Sequence, residues 1–340
     1  MFVQSTLAPQ KPVVEVTQTL PWVEKYRPQK IDELAHQEEI VNALQTSLSS
    51  GSLPHLLFYG PPGTGKTSAI LAIAKQMFGP DLYKSRVLEL NASDDRGINV
   101  VREKIKKFAQ VAVTKYQNAQ CPNFKIIILD EADSLTSDAQ SALRRVIEKY
   151  TKVTRFCLIC NYISKIIDPL ASRCAKFRFK PISEEAHLNR LKYICEQERI
   201  NCTNDAFSLL IQVSEGDLRK SITALQSTSK LHGDWISDQM VLDVAAVIPA
   251  DVINQIYQSL QGTFEEVQQL SADLILEGFQ PDSIIFQLFD FLLSRQEISD
   301  IKKAKIVEVL AEVDYGLVAG GNESLLILKA LSSIQEILNN

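Results

Sequence analysis

Eight residues, GPPGTGKT at 60–67, carry the spacing G-x-x-x-x-G-K-[ST], follow the apolar run LLFYG and precede the helical pattern SAILAIAKQMF. Gly63 and Gly65 let successive backbone N–H groups turn inward as an anion nest at a helix N-terminus. Lys66 then reaches the β- and γ-phosphates of a nucleotide, and the Thr67 hydroxyl is a ligand for Mg2+. The cradle so defined comprises Gly60, Pro61, Pro62, Gly63, Thr64, Gly65, Lys66, Thr67 and Ser68. Further on, KIIILDEAD is an apolar strand that ends in Asp130 and Glu131. Beside a phosphate nest, Asp130 is placed to hold Mg2+ through water and Glu131 to orient or deprotonate an attacking water. Asn161, at the end of TRFCLICN, offers an amide to the γ-phosphate or to that water, and Arg219, in GDLRK at a helix start, is a cation able to reach the same nucleotide. Arg173 is less self-explanatory. It lies between a small Ser and a Cys just before an alternating strand, where a guanidinium is either a surface charge or the clamp on a migrating phosphoryl group.

These groups need a scaffold that brings distant loops together. The runs LLFYG (56–60), RVLELN (86–91), KIIILD (125–130), TRFCLICN (154–161) and AKFRF (175–179) are β-rich and separated by helical patterns. That alternation predicts parallel pairing and a three-layer α/β domain over 21–180. From Pro181 the strand signal fades, and a three-helix module over 181–247 is expected, opened by Ser183-Glu184-Glu185. Residues 248–340 are again helical, with apolar faces such as Val252, Ile253, Ile256, Tyr257 and Leu260 suited to packing on other helices. Residues 1–20 hold Pro, Gln and Thr without periodicity and are expected to form a mobile tail.

Of the 340 residues, 45% are hydrophobic and 23% charged, the composition of a soluble globular protein. No apolar run suits a membrane span, and the amino terminus lacks a signal-peptide pattern, so no membrane partner is expected and the cytosol or nucleus is. The six Cys lie mostly in apolar or strand-like stretches, as reduced buried thiols do. Cys157 and Cys160 form a C-x-x-C, but strand alternation puts them on opposite faces, against a redox or zinc pair. A net charge of −5 opposes indiscriminate coating of nucleic acid but not a local basic patch.

The motifs PWVEKYRP, GPPGTGKT, LELNASDDRG, IIILDEAD, AQSALRRVIE, TRFCLICN, SRC and GDLRK occur in the order found in one family. From Pro21 onward the chain resembles the small subunits of replication factor C, AAA+ ATPases. The resemblance implies a P-loop AAA+ domain, a helical lid and an all-α collar. It also implies a nuclear five-member clamp loader, in which one large and three other small subunits join this one. Such a loader uses ATP and Mg2+ to open the PCNA clamp and place it on primer-template DNA in replication and repair. The family's shared small subunits also serve checkpoint-type and cohesion-type loaders. By the same resemblance Val23 and Arg27 pack on the adenine side, and Arg173 acts in trans on the ATP of an adjacent subunit.

The stretch after LELNASDDRG places Arg102, Lys106 and Lys107 on a helix, with Arg102 and Lys106 four apart on one face. A solvated charged face is the plain account. In this family the corresponding helix follows the DNA backbone, which makes these three the candidates for phosphate contacts; Ile105 and Phe108, at i and i+3, suit the core, and IKKFAQ at the end of the helix is a weaker candidate for the clamp. Two other classes share the ATP motifs. A branch-migration motor would need a dedicated DNA-binding domain or pore loops, and a purely structural subunit has no need of Glu131.

Overall fold

The computed structural model describes residues 20–33, 37–50, 53–93, 98–111, 122–245 and 248–339. The tail expected over 1–20 lies, but for Leu20, outside them, as does DDRG at 94–97. The chain forms two compact units, Met1–His187 with Asp217–Thr223, and Leu188–Gly216 with Ala224–Asn340.

In the first unit the short helix α1 (Trp22–Lys25) and helix α2 (Glu38–Ser50) precede strand β1 (Leu56–Tyr59). Then α3 (Lys66–Arg86), β2 (Val87–Asn91), α4 (Ile98–Gln110), β3 (Lys125–Asp130) and α5 (Ser137–Tyr150) alternate before β4 (Thr154–Cys160), α6 (Asp168–Ala171) and β5 (Ala175–Arg178). The five strands are parallel in the order β2-β3-β4-β1-β5, so the fold class expected from the sequence is present. Near-continuous apolar strands arise because both faces are covered. Phe58, Ile126, Ile128, Cys157 and Ile159 pack with Ile40 and Leu44 of α2 and with Ile70 and Ile73 of α3. Their alternates Leu57, Ile127, Leu129, Phe156, Leu158 and Cys160 pack with Ile105 of α4 and with Leu143 and Ile147 of α5. Cys157 and Cys160 therefore do fall on opposite faces, and burial pushes the Cys160 thiol up to about 12. Helix α3 runs on past SAILAIAKQMF, with non-helical backbone at Gly79 ahead of Pro80.

Ile105 is fully buried and Phe108 packs against the same core, while Lys125 stacks over the Phe108 ring. The pair thus takes the core position that its i, i+3 spacing suits, which removes Ile105 from the surface that IKKFAQ could offer a clamp.

The second unit contains the rest of α7 (Glu184–Glu198), β6 (Asn201–Cys202), α8 (Asn204–Val213), the rest of α9 (Leu218–His232), β7 (Trp235–Ile236) and α10 (Asp238–Ala245). Strands β6 and β7 pair in parallel, a small sheet that the sequence patterning did not indicate. Helix α10 is a fourth helix in the stretch read as three. The five helices α11 (Ala250–Ser259), α12 (Phe264–Leu276), α13 (Pro281–Ser294), α14 (Asp300–Val318) and α15 (Glu323–Asn339) follow. They share a core containing Ile256, Leu260, Leu288, Leu310 and Ile334. Thr263 and Glu266 form a reciprocal capping box that starts α12. Among the described residues no helix is long and apolar enough to cross a membrane.

Candidate nucleotide site

In a parallel sheet every strand delivers its last residue to the same edge, so β1, β3 and β4 bring the P-loop, Asp130 and Asn161 together. The loop between β1 and α3 is shaped by close approach. Gly63 has φ of +71°, and a Cβ there would stand 2.0 Å from Asp217 Oδ1; at Gly60, φ is +143° and a Cβ would stand 2.2 Å from the Phe179 carbonyl oxygen. Thr64 is buried and donates to the Pro61 carbonyl at 2.9 Å, which closes the turn from within, while Pro61 and Pro62 are exposed. Gly65, at φ of 88°, precedes the first turn of α3.

Lys66 is buried at 7% exposure, and its Nζ donates to the Gly60 and Pro61 carbonyls at 2.8 Å each and to Asn161 Oδ1 at 2.9 Å. Burial lowers its affinity for the proton and the Arg219 charge lowers it further, against the pull of Asp130, Cys160 and Asp133. A nucleotide phosphate can take over any of these three ammonium bonds. Thr67 donates to Asp130 Oδ2 at 2.7 Å, joining the two predicted Mg2+ residues. A hydroxyl and a carboxylate form the all-oxygen set that suits a small hard cation completed by water and phosphate. Glu131 is exposed and has a left-handed backbone (φ 53°), with its N–H donating to Asp130 Oδ1 at 2.9 Å. A non-glycine residue held at positive φ stores strain of about 1 kcal/mol or more, as functional positions often do.

Several contributors were not singled out from sequence. Asp133, two residues past the acidic pair, accepts from the backbone N–H groups of Asn161 and Tyr162 at 3.1 and 3.3 Å and so fixes the turn that aims the Asn161 amide at Lys66. Asp217 fills the space above Gly63 and accepts from the N–H of Arg219 at 2.9 Å. Its visible signal was the Asp of GDLRK. Arg219, exposed, stands at the start of α9, the helix start that the sequence assigns to the helical module, and the segment Asp217–Thr223 that carries it packs with the first unit. Arg27 donates from Nε to Ser68 Oγ at 3.3 Å and pairs with Glu24 at 3.1 Å, while Val23 is half-buried one turn earlier on α1.

Arg173 lies apart from this cluster. The residue after next, Ala175, pairs with Leu56 at the start of β1, so Arg173 stands at the amino end of the sheet and the phosphate cradle at the carboxyl end. The intervening strands are four to seven residues long, roughly 13–23 Å at about 3.3 Å per residue. Arg173 forms a 2.7 Å ion pair with Glu148 Oε1 and donates to the Pro169 carbonyl; Arg144 Nε lies 3.5 Å from the same carboxylate oxygen. Glu148, from AQSALRRVIE, is a further partner that sequence reasoning did not name. On α4, Lys106 is half-buried and Lys107 exposed; Arg102 is on the helix, but its side chain lies outside the described residues.

Three family models match in succession: the ATPase family associated with various cellular activities (AAA) at 56–182, the RCF1/5-like AAA+ ATPase lid domain at 189–230, and the replication factor C C-terminal domain at 248–333. The chain is 54% identical over 327 residues to replication factor C subunit 4 of Arabidopsis thaliana, covering 95% of this chain and 96% of that one. The chain belongs to the replication factor C small-subunit family. Identity is 51% to the human protein named subunit 4, covering 94% of this chain and 89% of the other. It is 47% to subunit 2 of Saccharomyces cerevisiae, with 93% of each covered. These are the two names, four in vertebrate and two in yeast numbering, that the stretch TRFCLICNYISKIIDPLASRCAKFRFKPIS suggests by resemblance. A solved Thermotoga maritima RuvB variant matches with TM-score 0.51 at 17% identity over 77% of this chain and 90% of that one, which shows a shared fold. The replication factor C subunit described here is thus an AAA+ ATPase, and its ATPase module carries the cradle.

Proposed function

We propose that this replication factor C subunit binds ATP with Mg2+ in its own P-loop and hydrolyses it within a clamp loader. The loader opens the PCNA ring and sets it on primer-template DNA in replication and repair. The observation that carries the reading is the convergence of Lys66 on Asn161 and of Thr67 on Asp130, in a chain that matches replication factor C subunits along 93–95% of its length. In this reading Lys66 binds the β- and γ-phosphates, Asn161 holds the γ-phosphate or the attacking water, and Glu131 takes the proton of that water. Mg2+, held by Thr67 and, through water, Asp130, would offset the charge on the phosphate oxygens. Val23 and Arg27 line the adenine side, Ser68 continues the cradle, and Arg219 senses the phosphates from the first turn of α9.

Arg173 serves the neighbour. Its place at the amino end of the sheet, away from its own P-loop, favours action in trans. Exposed ion pairs such as Arg173–Glu148 contribute only about 0–1 kcal/mol, so exchanging the carboxylate for a neighbour's triphosphate costs little. Partners are one large and three other small replication factor C subunits, PCNA and DNA, with checkpoint-type and cohesion-type loaders as alternative assemblies and the nucleus as the working compartment. Arg102, Lys106 and Lys107 contact DNA phosphates. The modules are the ATPase domain at 21–180, the lid at 181–247 and the subunit-gathering collar at 248–340.

ATP turnover of the assembled complex, measured with and without PCNA and primed DNA, tests this. A loader is stimulated most by the two together. Stimulation by DNA alone would indicate a translocating motor of the branch-migration type, and stimulation by neither a structural subunit.

A further inference from the structure

His187 is 1% exposed, in the first turn of α7, and nothing in the nucleotide chemistry uses it. Its Nε2 lies 2.7 Å from Ser221 Oγ, and that hydroxyl donates to the Asp217 carbonyl at 3.3 Å. Ser221 is itself fully buried. Whichever of the pair donates, the His187 Nδ1 has no hydrogen-bond partner. A leucine in this position would carry no such orphan. The polar group is kept at a cost, for one bond.

That bond fixes the turn that presents Arg219. Ser221 lies two residues after Arg219, roughly 200° around the helix at about 100° per residue, so the anchor is on the face opposite the exposed guanidinium. Asp217 lies two residues before Arg219. Its carbonyl ends the His187–Ser221 chain, while its carboxylate stands against Gly63 and accepts from the Arg219 N–H. The turn is thus held from below by His187 and from the side by the P-loop.

We infer that His187 is a positioning residue for Arg219: through Ser221 it holds the first turn of α9 against the P-loop, so that Arg219 meets the outer phosphate of the bound nucleotide. The inference rests on the proposed role of Arg219 toward that nucleotide.

The test is equilibrium binding of ADP and of a slowly hydrolysed ATP analogue to the full chain carrying His187→Leu, Ser221→Ala, His187→Gln or Arg219→Ala. His187→Leu and Ser221→Ala are expected to reduce the preference for triphosphate over diphosphate about 3- to 10-fold, the effect of one hydrogen bond, with ADP affinity unchanged. His187→Gln, whose amide can donate to or accept from Ser221 Oγ, is expected to restore the preference. His187→Leu combined with Arg219→Ala should be no worse than Arg219→Ala alone. Equal loss of ADP and analogue binding in His187→Leu and Ser221→Ala, with a lowered melting temperature, would make His187 a core residue only. A normal preference in both variants while Arg219→Ala loses it would also overturn the inference and leave Arg219 as sensor. A normal preference in Arg219→Ala would remove the sensor reading, and the inference with it.

Discussion

Lys66 meets three acceptors of its own chain inside a nearly closed space, so its charge is held where the proposed function puts the phosphates. Charge-assisted bonds of this kind differ from their absence by about 1.5–3 kcal/mol, so Lys66→Ala should weaken ATP binding on the order of 10- to 100-fold with the fold intact. Nucleotide titration against a melting curve checks both halves of that statement. Glu131→Gln keeps shape and hydrogen bonding but not basicity; ATP should still bind while turnover at this site falls about 10²- to 10⁴-fold, read by single-turnover hydrolysis. The gathering of Lys66, Thr67, Asp130, Glu131 and Asn161 was legible in the sequence because their motifs follow the ends of three strands of one parallel sheet. Asp133 and Asp217 were not, because they act on backbone N–H groups and on the space over a glycine, which only the folded chain brings to them.

The elements explain how rigidly these groups are held. Gly63→Ala must find room where Asp217 stands and adopt a left-handed backbone, so it should cost about 1–2 kcal/mol and weaken nucleotide binding, visible as a lower melting temperature and a raised dissociation constant. His55, just before β1, is buried; its Nδ1 accepts from the Phe156 N–H at 3.1 Å. Burial, aided by the Arg155 charge, lowers its pKa to about 4 from the ordinary 6.5. The folded state therefore binds this proton less readily than the unfolded chain. His55 contributes stability that is present above pH 6.5 and lost as pH falls toward 4. His55→Asn keeps an acceptor for Phe156 without titrating, so its melting temperature should fall less over that window than that of the parent. The five strands of the main sheet were legible to within about a residue at their ends, since apolar runs between helices have few other uses. Strands β6 and β7 have two residues each, too short to show a period.

For the molecule as a whole, the decisive variant is Arg173→Ala. ATP binding to this subunit should be unchanged and hydrolysis in the adjacent subunit slowed by about 10³-fold or more, as arginine fingers elsewhere contribute. Combined with a hydrolysis-dead neighbour it should add no further loss; additive damage would return Arg173 to a surface pair with Glu148. Charge reversal at Arg102, Lys106 and Lys107 should weaken DNA binding for every sequence alike and flatten its salt dependence, which a salt titration of the complex measures. The separation of the phosphate cradle from Arg173 along the sheet also gives the subunit a polarity. On the proposed trans role of Arg173, one end receives help with hydrolysis and the other gives it, so subunits joined this way would stack head to tail rather than face to face. An open arc built so has a donor at one tip with no recipient and a recipient at the other with no donor, leaving one fewer complete site than there are subunits, and any order of firing can be relayed only from giver to receiver.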